Sequence, residues 1–318
     1  MGSKGITACA SVLSGQSTTL KRLSLCNNGL SGASMTEVAD VLCEVENDIN
    51  IASRLTKIHF YNNMSGDEGC TAFSRIIGSC SASLEDVRFS GTRAGRPGSY
   101  RVAQAMDNMG DFIQNVKRWD LADNTFGEEG GEIIAKAFAR CPNLEYLNLR
   151  DCSLGDEGIA FVCDALAISK CPLKVLDLSG NEITASGAKK VGKLLPLLSK
   201  TLVILHIEEN EMTSRGVSAI AKGLGVCSLI EEVKLGMNEC GNIGGQALCD
   251  VADKLSALSK IELDNNMFSE KMVENLTSAF DEALIEMEDN DDEEDPDEDL
   301  EDDEDIADLT ATMAETSI

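Results

Sequence analysis

The stretch LKRLSLCNNGL, residues 20–30, decides the fold. Its spacing is L-x-x-L-x-L-x-x-N-x-L and runs from Leu20 through Asn28 to Leu30. The alternating apolar residues of the L-x-L core predict a short strand with one buried face. The asparagine side chain can bond neighbouring backbone groups, which favours a tight turn directly after the strand. One copy of this stretch therefore predicts a strand followed by a turn.

The same spacing returns eight more times along the chain. The later copies start at Leu55, Leu84, Val116, Leu144, Leu173, Leu202, Ile230 and Leu258. The steps between successive starts are 35, 29, 32, 28, 29, 29, 28 and 28 residues. Most of these steps lie close to the period of about 20–29 residues of a leucine-rich repeat. The nine copies predict a solenoid, which offers an extended binding surface rather than a buried pocket.

Between the strands, the sequence predicts amphipathic helices. In GEIIAKAFAR, residues 131–140, the apolar side chains Ile134, Ala137 and Phe138 fall at helical spacing, so one stripe faces inward. A period of 28–29 residues with a full helix resembles the ribonuclease-inhibitor-like type of these repeats. That type implies an α/β horseshoe with parallel strands on the concave face and helices on the convex face. The two longest steps predict insertions, one within Glu44–Ser53 and one around Arg93–Arg101.

Charge divides the chain into two parts. Residues 286–305 hold 16 Asp or Glu and no Lys or Arg, and such a run cannot bury enough apolar surface to fold. We expect a solenoid of about nine repeats over residues 1–285, capped by residues 1–19, and a disordered acidic tail over 286–318. The whole chain has a net charge of −28. This acidity disfavours nucleic acid as a partner.

The sequence carries no motif for a reaction of its own. The twelve Cys form no C-x-x-C pair, and the two histidines, His59 and His206, show no metal-ligand spacing. No phosphate-binding loop or nucleophile elbow is present, and no apolar run reaches transmembrane length. We therefore expect neither enzyme activity, cofactor, metal nor membrane insertion. We interpret the Cys as buried apolar residues of a protein in a reducing compartment.

Five stretches, in order, resemble one known family. They are HFYNNMSGDEG (59–69), LEDVRFSGTRAGR (84–96), DLADNTFGEEGG (120–131), LNLRDCSLGDEG (147–158) and LDLSGNEITASGAKK (176–190). Together with the acidic tail they are similar to the Ran GTPase-activating proteins of plants. Plant members also have an N-terminal targeting domain. Because the repeats here begin almost at once, we expect that domain, and the nuclear-envelope anchoring it gives, to be absent.

The resemblance implies a function that acts on another protein's active site. The chain would activate GTP hydrolysis by the small GTPase Ran in its GTP form and so support nucleocytoplasmic transport. Members of the family orient the GTPase's own catalytic Gln with their strand-to-helix loops and supply no arginine finger. A Ran-binding protein is a further expected partner. The expected location is the cytoplasm, including the perinuclear region.

The resemblance also implies site residues. Arg96 matches an Arg of the family, whereas Asp151 stands where the family has an Asn. An ionised Asp accepts hydrogen bonds but cannot donate them, which changes the chemistry of that position. Arg93 and Arg150 lie in the same two stretches. Asn63 and Asn124 match as well, although both fill the Asn position of the repeat, which favours a structural role.

A second function stays open from the same residues. Charged side chains alternate along the strands, more basic in the first four repeats and more acidic in the last three. These charges fit either a solvated face or a docking surface for a partner of reversed charge. The alternative is therefore a non-catalytic leucine-rich repeat scaffold or inhibitor that binds another protein on its concave face.

Overall fold

The computed structural model describes residues 5, 8, 12–15, 19–45, 50–287 and 290. The described residues form two compact units, one within Met1–Glu182 and Thr201–Leu205, the other within Ile183–Lys200 and His206–Ile318. Nearly all of the predicted acidic tail and most of the predicted N-terminal cap lie outside the described residues. The division at residue 285 stays a prediction.

Six strands of the first unit are parallel neighbours in chain order. They are β1 (Arg22–Ser24), β2 (Lys57–Tyr61), β3 (Asp86–Ser90), β4 (Arg118–Asp120), β5 (Tyr146–Asn148) and β6 (Val175–Asp177). Their central apolar residues lie in one row, Leu23, Ile58, Val87, Trp119, Leu147 and Leu176, and all are buried. These are the second apolar positions of each repeat, so the repeat spacing sets the register of the strands.

Helices alternate with these strands. They are α1 (Gly32–Cys43), α2 (Gly66–Gly78), α3 (Arg96–Asp107), α4 (Gly127–Phe138) and α5 (Gly155–Ser169). Short 3-10 helices lie at Ala52–Arg54 and Gly110–Asn115. Each of the five α-helices buries an apolar stripe, as the amphipathic pattern predicted. The predicted alternation of strands and helices is confirmed.

The second unit repeats this pattern. Its helices are α6 (Ala185–Leu198), α7 (Thr213–Leu224), α8 (Asn242–Ala252) and α9 (Glu270–Phe280), followed by a 3-10 helix at Asp281–Ala283. Its strands β8 (Glu232–Lys234) and β9 (Lys260–Glu262) are parallel. The remaining strand, β7 (Ile204–His206), contributes residues to both units.

The predicted insertion around Arg93–Arg101 is wrong in its position. Residues from Arg96 onward form the first turns of α3, with Pro97 in the first turn, where a proline fits a helix. The backbone N–H of Gly95 donates to Asp67 Oδ1 at 2.8 Å and fixes the entry to the helix. The extra residues of this repeat instead follow α3 and form the 3-10 helix Gly110–Asn115.

Two glycines bring α6 and α7 unusually close together. A Cβ added at Gly192 would lie 2.4 Å from the carbonyl oxygen of Ala219, and one at Gly223 would lie 2.5 Å from that of Gly192. Both obstacles are backbone atoms, which cannot rotate away. The close approach of these two helices therefore depends on hydrogen at both positions.

We predict that Gly192→Ala lowers the free energy of unfolding by about 1–3 kcal/mol relative to Gly78→Ala, because only the first substitution forces two backbones apart. Gly78 ends α2, and a Cβ there would meet no atom within 4 Å. Both substitutions replace helical Gly by the better helix former, so their comparison isolates the clash. Urea unfolding of the two variants measures this. Equal stabilities would contradict the inferred helix contact.

Candidate protein-binding rim

In most repeats, a buried asparagine in the loop ties the repeat to the one before it. Asn63 is 5% exposed, and its Nδ2 donates to the carbonyl of Leu25 at 2.8 Å. Its Oδ1 accepts from the backbone N–H groups of Asn28 and Leu30, both at 3.2 Å. One side chain thus satisfies three backbone groups of the preceding loop. This matters because buried backbone groups without partners are costly.

The same bonds recur along the chain. Asn124 is 2% exposed, and its Nδ2 donates to Phe89 O at 2.7 Å while its Oδ1 accepts from the Thr92 hydroxyl at 2.9 Å. Asn181 accepts from the backbone N–H groups of Cys152 and Leu154 at 3.2 and 3.3 Å. We call these positions the asparagine ladder. They are Asn28, Asn63, Thr92, Asn124, Cys152, Asn181, Asn210, Asn238 and Asn266.

Asn63 and Asn124 therefore lie beneath the loop surface, with their amides engaged in the ladder. That Asn63 or Asn124 takes part in binding a partner stays a prediction. Such a role would be indirect, because these side chains hold the loops in place rather than contact the partner.

The residue just before each ladder position has a left-handed backbone. These residues are Asn27, Asn62, Gly91, Asp123, Asp151, Gly180, Glu209, Met237 and Asn265, with φ between 51° and 64°. Left-handed φ is costly for most residues but is tolerated by Gly, Asn and Asp. Asp151, at φ 53°, thus has a structural reason for its residue type. The recurrence of Asn, Asp or Gly before the ladder position was the signal that sequence reasoning missed.

Asp151 is the exposed carboxylate of the fifth loop. Its side chain is 42% exposed, and Arg150 Nε lies 3.3 Å from its Oδ2. Its backbone N–H donates to the carbonyl of Ser179 at 2.9 Å. Partial burial raises the pKa of Asp151, Arg150 opposes this, and the nearby Asp123 adds to it. The structure thus brings the predicted residues Arg150 and Asp151 into contact.

Arg93 and Arg96 are the exposed cations of the third loop. Arg93 has a left-handed backbone at φ 59°, and Arg96 is the first residue of α3. The guanidinium of Arg96 lies over the start of the next repeat, where a Cβ at Gly127 would be 3.4 Å from its Nε. Neither arginine has an ion-pair partner within 4.0 Å in the part of the chain that the structure describes. Both cations are therefore available to a partner.

All six predicted residues lie on one edge of the first unit, formed by its strand-to-helix loops. We call this edge the loop rim; it comprises residues 26–31, 62–65, 91–96, 122–126 and 150–154. The ladder holds it from below, and Arg93, Arg96, Asp123 and Asp151 are exposed on it. A rigid edge with both cations and acceptors suits protein recognition.

The strand face beside the rim, by contrast, pairs its charges internally. Asp86 contacts Lys57 at 2.9 Å and His59 at 2.7 Å. Arg88 lies 3.0 Å from Asp120 and stacks over the Tyr61 ring at 3.7 Å. Burial alone would raise the pKa of Asp86, but hydrogen bonds from His59 and Lys57 and their charge lower it to about 2.

The strands of the second unit pair their charges in the same way. Lys234 lies 3.3 Å from Glu262, and Lys260 lies 3.1 Å from Glu232. The interpretation of the strand residues as a mixed-charge face is thus favoured over that of a free charged surface.

The cysteines and carboxylates of the described residues form no metal site. No group of three or more His, Cys, Asp or Glu is placed to hold an ion there. Burial raises the pKa of the Cys70, Cys80 and Cys141 thiols to about 12, which keeps them protonated and unreactive. In the same residues, no helix has the length and apolarity that crossing a membrane requires.

Comparison with known proteins agrees with this architecture. The family described as "Leucine Rich repeat" matches residues 113–135, 140–163, 169–192 and 198–221. The chain contains leucine-rich repeats at these positions. It is 25% identical to the ribonuclease inhibitor of Mus musculus over 252 residues, 79% of this chain and 52% of that protein. The predicted α/β repeat fold is therefore confirmed.

Two further relatives have names that point to different kinds of protein. RAN GTPase-activating protein 2 of Arabidopsis thaliana is 31% identical over 136 residues, 42% of this chain and 24% of that protein. Protein CARMIL of Dictyostelium discoideum is 25% identical over 267 residues, 82% of this chain and 24% of that protein. The chain spans about half of the mouse inhibitor and about a quarter of the other two proteins.

The charge pairing on the strand face predicts how stability depends on pH. Because the folded pKa of Asp86 is depressed to about 2, its ion pairs stabilise the protein above the ordinary carboxyl pKa near 4 and lose this effect as pH falls toward 2. The side chain is 27% exposed, so solvent screening limits the effect to roughly 1 kcal/mol. We expect Asp86→Asn to melt below the wild type at pH 7 and the gap to narrow by pH 3. A constant gap would contradict the pairing.

Proposed function

We propose that this chain activates GTP hydrolysis by a Ran-type small GTPase, which it binds in the GTP form through the loop rim. The single observation that carries the proposal is the loop rim itself, which presents the unpaired Arg93 and Arg96 in its third loop and the exposed carboxylate of Asp151 in its fifth. The similarity to RAN GTPase-activating protein 2 supports the choice of GTPase. The proposal includes a cytoplasmic location, extending to the perinuclear region, and a Ran-binding protein as a further partner.

In the proposed mechanism, the chain orients the catalytic glutamine of the GTPase. Hydrolysis requires a water molecule aligned with the γ-phosphate, and a glutamine of the GTPase holds that water. The Asp151 carboxylate would accept a hydrogen bond from the amide N–H of this glutamine. The glutamine oxygen then remains free to accept from the water. Fixing groups in a reactive geometry lowers a barrier by reducing the entropy lost in the transition state.

The rim suits this task because its backbone is fixed before the partner arrives. Asp151 stands at a left-handed position, and Asn181 bonds the next loop amides, those of Cys152 and Leu154. The arginines would act differently, by pairing with acidic residues on the GTPase surface. Such exposed charges mainly raise the association rate. No arginine finger is part of the proposal.

A second candidate function has its own support. The similarity to the ribonuclease inhibitor extends over 79% of this chain, more than the 42% shared with the GTPase activator. A non-catalytic leucine-rich repeat scaffold or inhibitor would use the strand face rather than the rim. On that face the charges are paired internally, so a partner would have to replace existing ion pairs. The unpaired Arg93 and Arg96 of the rim therefore favour the activator.

Direct assay separates the two functions. We expect substoichiometric amounts of the chain to accelerate GTP hydrolysis by purified Ran and to leave Ras- and Rho-type GTPases unchanged. Phosphate release under single-turnover conditions measures both. Unchanged hydrolysis by Ran at micromolar chain would exclude the activator and leave the scaffold.

Variants locate the site. Asp151→Gly keeps the left-handed backbone, which Gly adopts freely, and removes the carboxylate, so activation should fall at unchanged melting temperature. Asp151→Asn retains an acceptor oxygen and should keep most of the activity. Asn265→Gly is the matched control, since it makes the same backbone change at φ 55° in the second unit. If Asp151→Gly activates as well as Asn265→Gly does, Asp151 is not part of the site.

The arginine pair has its own test. Arg96→Ala should slow association with the GTPase by roughly tenfold at low salt, and the loss should shrink as salt screens the charges. Arg101→Ala is the control on the same helix, because Arg101 donates to the Thr71 hydroxyl at 2.6 Å on the helix side. Stopped-flow binding of the two variants decides whether the rim makes the contact. Equal association rates would place the contact elsewhere.

A further inference from the structure

Two neighbouring helices of this acidic protein carry no acid at all. α6 and α7 contain no Asp or Glu, whereas each of the other seven α-helices named above contains at least one. The two helices are packed against each other within the second unit. In a chain with a net charge of −28, their outer faces therefore form a local region of the opposite sign.

The positive charges of this region lie in one stripe. Lys190, Lys193 and Lys200 are exposed along α6 and just beyond its end, at spacings of three and seven residues that keep them on one side of a helix. Lys222 is exposed on α7. None of these four ammonium groups has an ion-pair partner within 4.0 Å in the described part of the chain. We call these four residues the basic helix patch.

The glycine contact described above concentrates the patch. Lys193 adjoins Gly192, and Lys222 adjoins Gly223, the two positions where the helix backbones come closest. Positive charges that share one surface attract an anionic partner. Since none of the four lysines has an ion pair in the described part of the chain, such a partner would not have to displace one.

The chain itself contains a matching anion. Residues 286–318 hold 18 carboxylate side chains and no Lys or Arg. Around the last two helices the exposed acids Asp250, Asp253, Glu270 and Glu274 outnumber the exposed Lys254 and Lys271, so on balance these faces would repel the segment. Among these four helices of the second unit, the nearest surface of opposite sign is therefore the basic helix patch.

The segment is long enough to reach the patch. The backbone N–H of Phe268 donates to Asn290 Oδ1 at 3.1 Å, so the segment departs beside the last repeat. Three helix spacings of about 8–10 Å separate α9 from α6, or roughly 30 Å. The 28 residues after Asn290 span about 90 Å when extended and about 30 Å as a random coil. Reach is thus no obstacle.

We propose that the acidic segment of residues 286–318 folds back and docks on the basic helix patch of the same chain. The inference does not rest on the proposed GTPase activity and holds for either candidate function. The contact would be electrostatic and salt-sensitive, without a fixed pairing of residues. Docked, the segment is drawn away from basic surfaces of other proteins, so a partner must compete with the patch for it.

A zero-length carbodiimide cross-linker tests this in the full chain, because it joins a lysine amine only to a carboxylate in contact with it. At 50 mM salt, we expect peptides that join Lys190, Lys193, Lys200 or Lys222 to residues 286–305. Their yield should fall roughly tenfold at 1 M salt, where the screening length shrinks to about 3 Å. Cross-links of the segment mainly to Lys254 and Lys271, the lysines nearer to it, would overturn the proposal.

Two controls keep the test sharp. A variant with Lys190, Lys193, Lys200 and Lys222 all changed to Gln should leave the segment solvent-exposed, raising the rate of protease cleavage within it severalfold. Lys254→Gln with Lys271→Gln should leave that rate unchanged.

Mixing 14N- and 15N-labelled chains distinguishes the occupants of the patch. Cross-links that join the two labels would show a second copy on the patch and overturn the proposal. Sedimentation of the full chain with phosphatidylserine vesicles, lost in the four-lysine variant, would assign the patch to a lipid surface and overturn the proposal.

Discussion

The buried asparagine that most repeats carry in the loop is the constraint on which the structure depends. A strand that turns directly into a helix leaves loop N–H and C=O groups inside the protein, and those groups need partners. The side chain at each ladder position supplies them, as Asn63 does for the loop that holds Asn28 and Leu30. The hydrogen bonds cross from one repeat to the next. The same hydrogen bonds therefore both form the turn and hold neighbouring repeats together.

This constraint explains why the rim is suited to carry function. The ladder fixes each loop from beneath, so the residues above it need not stabilise the fold and are free to vary in charge. Arg93 and Arg96 point outward without ion pairs in the described structure, whereas Lys57 and Asp86 on the strand face bond each other at 2.9 Å. The two surfaces thus differ in kind. The strand face pairs these charges internally, whereas the rim leaves Arg93 and Arg96 exposed and without an ion pair.

Sequence spacing predicted much of the fold but less of the site. The L-x-x-L-x-L pattern placed every strand, because burial of alternate side chains leaves one choice of register. The insertion around Arg93–Arg101 was misplaced, because the step length shows that a repeat holds extra residues but not where in the repeat they lie. Asp151 was assigned by resemblance alone. Its left-handed backbone is a property of three-dimensional structure that a single sequence shows only as a weak preference for Asn, Asp or Gly.

The ladder also determines how the effect of a substitution at the site can be interpreted. A substitution at Asp151 acts on chemistry only if the backbone beneath it stays in place, and Asn181 is the residue that holds it, through the N–H groups of Cys152 and Leu154. A change in activity can therefore be assigned to the Asp151 side chain only when this backbone is known to be unchanged.

The most direct measurement of this central claim is amide hydrogen exchange in Asn181→Ala. The account predicts faster exchange at Cys152 and Leu154, by roughly tenfold or more for a lost hydrogen bond worth about 1.4 kcal/mol. The distant amide of Leu25, bonded to His59 O at 2.9 Å, should be unaffected. Unchanged exchange at Cys152 and Leu154 in a folded variant would contradict the account, because the loop would then be held by something other than the ladder.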